Sequence, residues 1–492
     1  MEGGDEMGLF DSATWTGSVY ADGWVPGGDG EYPVVEPATG GELGRIGRAN
    51  AADVSRTASR AGEAQRGWAN AMYQERAAVL RRAGDLFTEH AKDIQGWIVR
   101  ETGAIPPKAE LETWFAASTC YEAAGVVSVP YGELLRTRDP VLSFSRRQAV
   151  GVVGVISPFN FPLILSIRAV APALALGNAV VLKPDPRTAV SGGVVLARIF
   201  EEAGLPDAVF AMLPGGADLG EALVKDPGVH MISFTGSTRA GRAVGALAGE
   251  HLKRVHLELG GNSALIVLDD VDLEKAVSVG AFGSFMHQGQ VCMTTGRHLV
   301  QRSIADDYTS ILAQHADHLP VGNPATEQVA LGPIIDEKQR DRVHDIVTRS
   351  VESGARLAAG GTYEGLLYRP TVLGEVPTDA PAYTEEIFGP VAPVVPFDSV
   401  DEAVKLASEN EYGLSLGILT PDVMKGLEIA DRIPSGVVHI NDQTVSDEVV
   451  NPFGGVKASG PGARLGGPQA NIEAFTQVQW VTMRGDLPDY PF

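Results

Sequence analysis

The stretch "QAVGVVGVIS", residues 148–157, is a near-continuous apolar run punctuated by glycine, and it opens a pattern that repeats through the middle of the chain. Similar runs follow at "NAVVLKP" (178–184), "DAVFAMLPG" (207–215) and "VHMISFTG" (229–236), each separated from the next by a helix-like segment. Buried strands of five to eight residues alternating with helices are the sequence form of a parallel sheet covered on both faces. A second alternation begins after about residue 258, with "NSALIVLD", a helix from Asp272 to Met286, "HLVQRS", "ARLAAGG", "YRPTVLGEV", "PVAPVVPF", "SLGILT" and "GVVHIN". The chain therefore reads as α/β with two doubly wound units.

Upstream, residues 53–102 and the segment "IPPKAELETWFAASTCYEAAGVV" carry helical patterns that cover the first sheet. Downstream, "NIEAFTQVQWVTMRG" alternates like an exposed strand, which calls for a partner such as a second subunit. At 492 residues the chain exceeds what one core supports, so two or more domains are expected.

The balance of 39 basic and 62 acidic residues gives a net charge of −23. Such a surface repels nucleic-acid phosphates and anionic lipid, so neither a nucleic acid nor a membrane is an expected partner. The apolar run at 163–182 contains Arg168, Pro172, Gly177 and Asn178 and reads as a buried helix followed by a strand. Two cysteines in different contexts make no disulfide framework, and the acidic N-terminus lacks the features of a secretion signal, so a cytoplasmic location is expected. No ligand cluster calls for a metal.

Three segments carry candidate chemistry. In "QGQVCMTTGR" (288–297) Cys292 sits among small polar residues after a helix, where a working thiol would sit, although a packed thiol reads the same way. Cys120, flanked by helix formers, reads as a space-filling residue. Asn160 in "SPFNFP" (157–162) ends a buried strand and is either an ordinary turn residue or a carboxamide donor for an oxyanion. Glu258 in "LELGGN" (257–262) is either a surface carboxylate or a base beside a Gly-Gly turn. A fourth segment, "FTGSTRAG" (234–241), is strand, glycine turn and helix start, with Gly236, Ser237 and Gly241 placed to receive a pyrophosphate, without forming the G-x-G-x-x-G fingerprint.

Together "SPFNFP", "VLKP", "FTGST", "LELGGN", "GQVC", "EEIFGP" (385–390) and "NPFGGVKASG" (451–460) resemble, in order and spacing, the aldehyde dehydrogenase superfamily over nearly the whole chain. The resemblance implies an aldehyde dehydrogenase-like fold: a Rossmann-like cofactor domain (1–128 and 146–258), a catalytic domain (259–455) and a small β oligomerisation arm (129–145 and 472–492) in a homodimer or homotetramer. It implies Cys292 as the nucleophile, Asn160 as the oxyanion donor and Glu258 as the general base. For the cofactor it implies Ile156, Ser157, Pro158, Lys183, Gly215, Phe234, Gly236, Ser237, Gly241, Leu259, Gly260, Glu386 and Phe388. Lys183 would reach the adenosine ribose, Gly236 and Ser237 the pyrophosphate, and Glu386 with Phe388 the nicotinamide ribose.

Two departures from the family pattern stand out. "KPDPRT" places Pro186 where many NAD-preferring members resemble Lys-x-x-Glu, so NAD is the expected cofactor and NADP the alternative, helped by Arg187. Arg464 in "GPGARLGG" stands where many members carry a glutamate, which puts a second catalytic carboxylate in doubt. The segments around Cys292, residues 439–455 and the C-terminal strand look most similar to the benzaldehyde, vanillin and salicylaldehyde dehydrogenase branch. The expected substrate tunnel of Phe161, Ile164, Leu165, Met286, Val291, Met293 and Phe453 suits an aromatic ring, with Arg168 either meeting a polar ring substituent or lying on the surface. The competing readings are a dehydrogenase of aliphatic or semialdehyde substrates and a non-catalytic structural or ligand-binding relative.

Overall fold

The computed structural model describes residues 8–492. Its first sheet has the strand order Arg254–Glu258, Met231–Thr235, Val152–Ile156, Ala179–Lys183, Phe210–Met212, followed by the antiparallel pair Ser18–Tyr20 and Trp24–Pro26. The first five strands in that order are parallel. The parallel part starts in the middle at Val152–Ile156, builds outward to Phe210–Met212, then returns to build the other side. The switch of direction falls between Val152–Ile156 and Met231–Thr235, where a doubly wound sheet leaves a crevice beyond its carboxyl ends. Register brings Ile156, Lys183, Phe234, Thr235 and Glu258 to that one edge.

The second sheet runs Arg356–Ala359, Thr371–Gly374, Val391–Phe397, Thr295–Gln301, Ser263–Val267, Ser415–Leu419, Val437–Ile440, all parallel except the first. Cys292 precedes the strand Thr295–Gln301, so the amino edge of the second sheet meets the carboxyl edge of the first. A third sheet of Gly132–Leu134, Leu142–Ala149 and Thr476–Met483 projects from both. Tyr131, Leu134, Val478, Trp480 and Met483 are exposed on or beside it.

Two expectations change. The run 148–157 is not one strand: Leu142–Ala149 belongs to the projecting sheet and Val152–Ile156 to the first, with Gly151 (φ +122°) turning the chain between them. Hydrophobic continuity hid the break, because the turn costs only one glycine in a conformation other residues avoid. The strand Leu142–Ala149 consequently crosses the boundary expected at 145/146, and residues 471–475 close the helix Pro468–Phe475 before the last strand begins at Thr476.

The helix Ala51–Asn70 packs on the first sheet as expected, whereas Tyr73–Glu89, Ala91–Thr102 and Pro106–Val126 form an outer layer against the helices Pro162–Ala175 and Val195–Glu202. The run 163–182 resolves into the helix Pro162–Ala175 and the strand Ala179–Lys183, and among the described residues no helix is long and apolar enough to cross a membrane.

Candidate active site

Cys292 lies after a backbone held in an unusual shape. His287, Gln288 and Gly289 all have φ between 49° and 64°, the left-handed region that costs non-glycine residues about 1–3 kcal/mol each. The surroundings impose it. Gln288 Nε2 donates to the carbonyls of Gly103 (2.8 Å) and Pro333 (3.0 Å), and Gln290 Oε1 accepts from the Ile335 N–H (3.1 Å). Asn160 Nδ2 donates to the Gln290 carbonyl at 2.9 Å, which ties the carboxamide to the thiol loop and leaves its second N–H free of that bond.

Asn160 itself is fixed from behind. Lys108 and Glu112, one turn apart on the helix Pro106–Val126, form a buried ion pair. Lys108 Nζ donates to the Asn160 carbonyl at 2.8 Å, while Glu112 Oε2 accepts the N–H groups of Leu163 (3.0 Å) and Ile164 (3.2 Å). Those are free donors at the start of the helix Pro162–Ala175, so a carboxylate is favoured there by both hydrogen bonding and the helix dipole. Sequence reading missed this pair; its signal was a Lys and Glu at i, i+4 on the same helix face as Phe115 and Ala116.

Asn160 and Cys292 line one cleft of about 960 Å³, which runs along the carboxyl edge of the first sheet. Of the thirteen expected cofactor residues, Ile156, Ser157, Pro158, Lys183, Phe234, Gly236, Ser237, Leu259, Gly260, Glu386 and Phe388 line it. Gly215 and Gly241 do not. A side chain on either would collide with Leu219 or Leu259 respectively, so these glycines allow close packing of helix on strand, and the neighbour Gly216 faces the cleft instead. Ser237 caps the helix Thr238–Glu250.

The electrostatics separate the groups. Burial, then Glu386, Glu258 and Asp447, push the Cys292 thiol up to about 12, so the free protein holds it neutral. Burial likewise raises Glu258 well above the usual carboxylate range, opposed by Arg168, Arg464 and the Gly455 N–H, which faces the carboxyl without forming a hydrogen bond of good geometry. Among the described residues neither Glu258 oxygen has a hydrogen-bond partner. Glu386 is raised to about 7 by burial, although the Gly261 N–H donates to it at 3.0 Å. Behind the thiol, Cys292 and Glu258 share a cavity of about 20 Å³ with Leu165, Arg168 and Phe453. That is room for one water.

All seven expected apolar tunnel residues gather in one cluster around Cys292: Phe161, Ile164, Val291, Met293 and Phe453 are buried, with Leu165 and Met286 packed against them. Phe115, Leu414 and Val449 join them; no motif marked these three in the sequence. Arg168 corrects the expectation. It is buried, not on the surface, and both Nη atoms are engaged by Asp447, one at 2.9 Å, while the guanidinium stacks 4.7 Å from the Phe453 ring. Only its Nε lacks a partner among the described residues.

Arg187 is similarly committed. It is held by Asp185 (2.8 Å) and Asp336 (2.6 Å) and lies over Phe159 at 4.2 Å. Lys183 is different: 7% exposed and lining the cleft, its ammonium has one long hydrogen bond, to the Pro184 carbonyl at 3.3 Å. A buried cation with spare donors beside a long cleft fits the hydroxyls of a dinucleotide ribose. Arg464 Nη1 donates to the carbonyls of Gly455 (2.9 Å) and Ala463 (3.1 Å). Among the described residues no group of three His, Cys, Asp or Glu is placed to hold a metal.

A thiol that lines a dinucleotide-sized cleft with a carboxamide, and shares a small cavity with a buried carboxylate, agrees with the sequence comparison. The sequence matches the Aldehyde dehydrogenase family over residues 24–481. The chain belongs to that family. It is 65% identical over 486 residues to a vanillin dehydrogenase of Amycolatopsis sp., covering 99% of this chain and 100% of that one. It is 50% identical to a benzaldehyde dehydrogenase [NAD(+)] of Pseudomonas putida, covering 97% and 98%. Among solved structures, a salicylaldehyde dehydrogenase from Pseudomonas putida G7, complexed with salicylaldehyde, superposes with a TM-score of 0.93 at 32% identity, covering 97% of this chain and 99% of that one.

Proposed function

We propose that this aldehyde dehydrogenase oxidises benzaldehyde-like aromatic aldehydes to carboxylic acids with NAD as hydride acceptor. The observation that carries the reading is the position of Cys292, which lines the same cleft as Lys183 and packs against an apolar cluster rich in phenylalanine. The apolar side chains of Phe161, Phe453 and Met293 suit contact with a flat ring, and the relatives named above are dehydrogenases of such aldehydes.

In this mechanism the Cys292 thiol gives up its proton to water as the sulfur attacks the aldehyde carbon to give a thiohemiacetal, and Glu258 is kept for the later hydrolysis. The oxyanion is held by the free N–H of Asn160 and the Cys292 backbone N–H, donors worth about 10²–10³ in rate when one is removed. A bound dinucleotide would lie in the cleft with its ribose hydroxyls on Lys183 and Glu386, and it supplies an acceptor for the hydride. The thioester left on Cys292 is then hydrolysed by a water in the small cavity, with Glu258 as base. A carboxyl whose affinity for protons is raised by burial is a stronger base when ionised.

NAD is favoured over NADP because Arg187, which lines the cleft with Lys183, is neutralised by Asp185 and Asp336, which would repel a 2′-phosphate. A carboxylated semialdehyde is disfavoured because the Arg168 guanidinium beside the cluster is spent on Asp447. We further propose that the first sheet with its helices is the cofactor-binding unit and the second sheet the catalytic unit. The exposed apolar side chains of the projecting sheet support assembly into a homodimer or homotetramer, and a cytoplasmic location fits the reduced thiol chemistry.

The test is a cofactor-reduction assay with benzaldehyde, a hydroxylated benzaldehyde, hexanal and succinic semialdehyde, each with NAD and NADP. Aromatic substrates with NAD should give the highest kcat/KM. Faster turnover of succinic semialdehyde would refute the substrate assignment.

A further inference from the structure

Successive side chains of a strand point to opposite faces, so Arg254, His256 and Glu258 form one row on the strand Arg254–Glu258. At one end of the row, Glu258 lines the small cavity that touches Cys292. At the other, Arg254 and His256 line a separate cavity of about 590 Å³, walled also by Pro452, Arg464 and Glu473. This cavity shares no lining residue with the cofactor cleft.

His256 stands in the partition. It is only 2% exposed, and among the described residues neither ring nitrogen has a hydrogen-bond partner. A buried imidazole left without partners on both sides calls for an explanation. Its Nε2 lies 3.5 Å from Glu258 Oε1, a few tenths of an ångström beyond hydrogen-bond length. The other charged groups facing it, Arg168 and Arg464, carry guanidiniums that do not release a proton in proteins.

We propose that His256 relays the proton collected by Glu258 during thioester hydrolysis into the cavity lined by Arg464 and Glu473. The inference rests on the proposed role of Glu258. Hydrolysis of the Cys292 thioester to a carboxylate and a neutral thiol releases one proton. The water oxygen forms the new C–O bond, the C–S bond breaks, the sulfur regains a proton, and the surplus proton resides on Glu258 Oε1. It passes to His256 Nε2 as the Nδ1–H is given to water in the larger cavity, and rotation of the ring then lets the Nε2–H exchange with that water, which restores the tautomer. Burial together with Arg168 and Arg464 pushes the imidazole down to about 4, so it stays neutral and does not retain the proton. His256 thus acts through Glu258 and not on the substrate.

The experiment uses the full-length enzyme with benzaldehyde and NAD in stopped flow, comparing the first-turnover rate of NADH formation with the steady-state rate. In His256→Ala the first turnover should stay within about twofold of wild type while the steady state falls about tenfold or more, less than the 10²–10⁴ ascribed to a general base itself. Added imidazole should restore the steady state of His256→Ala, because the larger cavity gives it access, and should not restore Glu258→Gln. His256→Gln, which keeps polarity and bulk, should show the same loss without rescue. An unchanged steady state in the His256 variants, or a loss that falls equally on both phases and ignores imidazole, overturns the relay. An undiminished steady state in Glu258→Gln instead overturns the base assignment on which it rests.

Discussion

Replacing Lys108 by methionine tests how the site is held together. The Lys108–Glu112 pair is buried, with side chains 2% and 0% exposed, and removing one partner of such a pair costs about 3–5 kcal/mol because the other charge is left uncompensated. Burial already raises the Glu112 carboxyl, with Lys108 the main opposing influence, so the variant raises it further. A carboxyl whose folded value lies above its unfolded value loses stability as pH rises between the two, at about 1.4 kcal/mol per unit. Lys108→Met should therefore melt at least about 5 °C below wild type at pH 8 and recover part of that difference at pH 5.5. The double variant Lys108→Met, Glu112→Gln should be more stable than the single variant at pH 8. Because Lys108 also holds the Asn160 carbonyl, kcat should fall, by no more than the roughly 10²–10³ of a lost oxyanion donor. A single variant that melts like wild type at both pH values, or a double variant no better than the single one, would refute this reasoning.

Other outcomes follow from the same geometry. With Cys292 pushed up to about 12, alkylation by iodoacetamide in the absence of cofactor should keep rising about tenfold per pH unit past 9, where an ordinary thiol levels off; mass spectrometry should find one modified cysteine in the native protein, since Cys120 is buried. Asp336→Asn loosens Arg187 and should raise the NADP-to-NAD ratio of kcat/KM severalfold, and an unchanged ratio would remove Arg187 from the account of cofactor choice. Arg168→Met leaves Asp447 unpaired next to the apolar cluster and should lower kcat/KM for benzaldehyde by tenfold or more, an effect that the double variant with Asp447→Asn should lessen.

The parallel sheets were legible because buried strands leave unbroken apolar runs, and the carboxyl-edge residues Ile156, Lys183, Phe234 and Glu258 fell where those runs end. The break at Gly151 was not legible, since Val150 and Val152 are equally apolar although they belong to different parts of the fold. Motif residues Asn160, Glu258 and Cys292 were readable as types, but their proximity is a long-range property. The supports were hidden for the same reason: Lys108 serves Asn160 across 52 positions, and Arg168 meets Asp447 across 279. Gly215 and Gly241 show the converse limit, because a glycine near a ligand and a glycine under a leucine look alike in sequence. His256 was legible only as the middle of Arg-x-His-x-Glu on one strand face, a pattern whose meaning depends on the cavities at its two ends.

The most direct test of the central claim is to trap the covalent intermediate. Glu258→Gln enzyme mixed with NAD and one equivalent of benzaldehyde should, on acid quench and peptide mass spectrometry, carry one benzoyl group on the peptide containing Cys292, formed together with about one equivalent of NADH. NADH formation without acylation of that peptide, or acylation at Cys120, would contradict it.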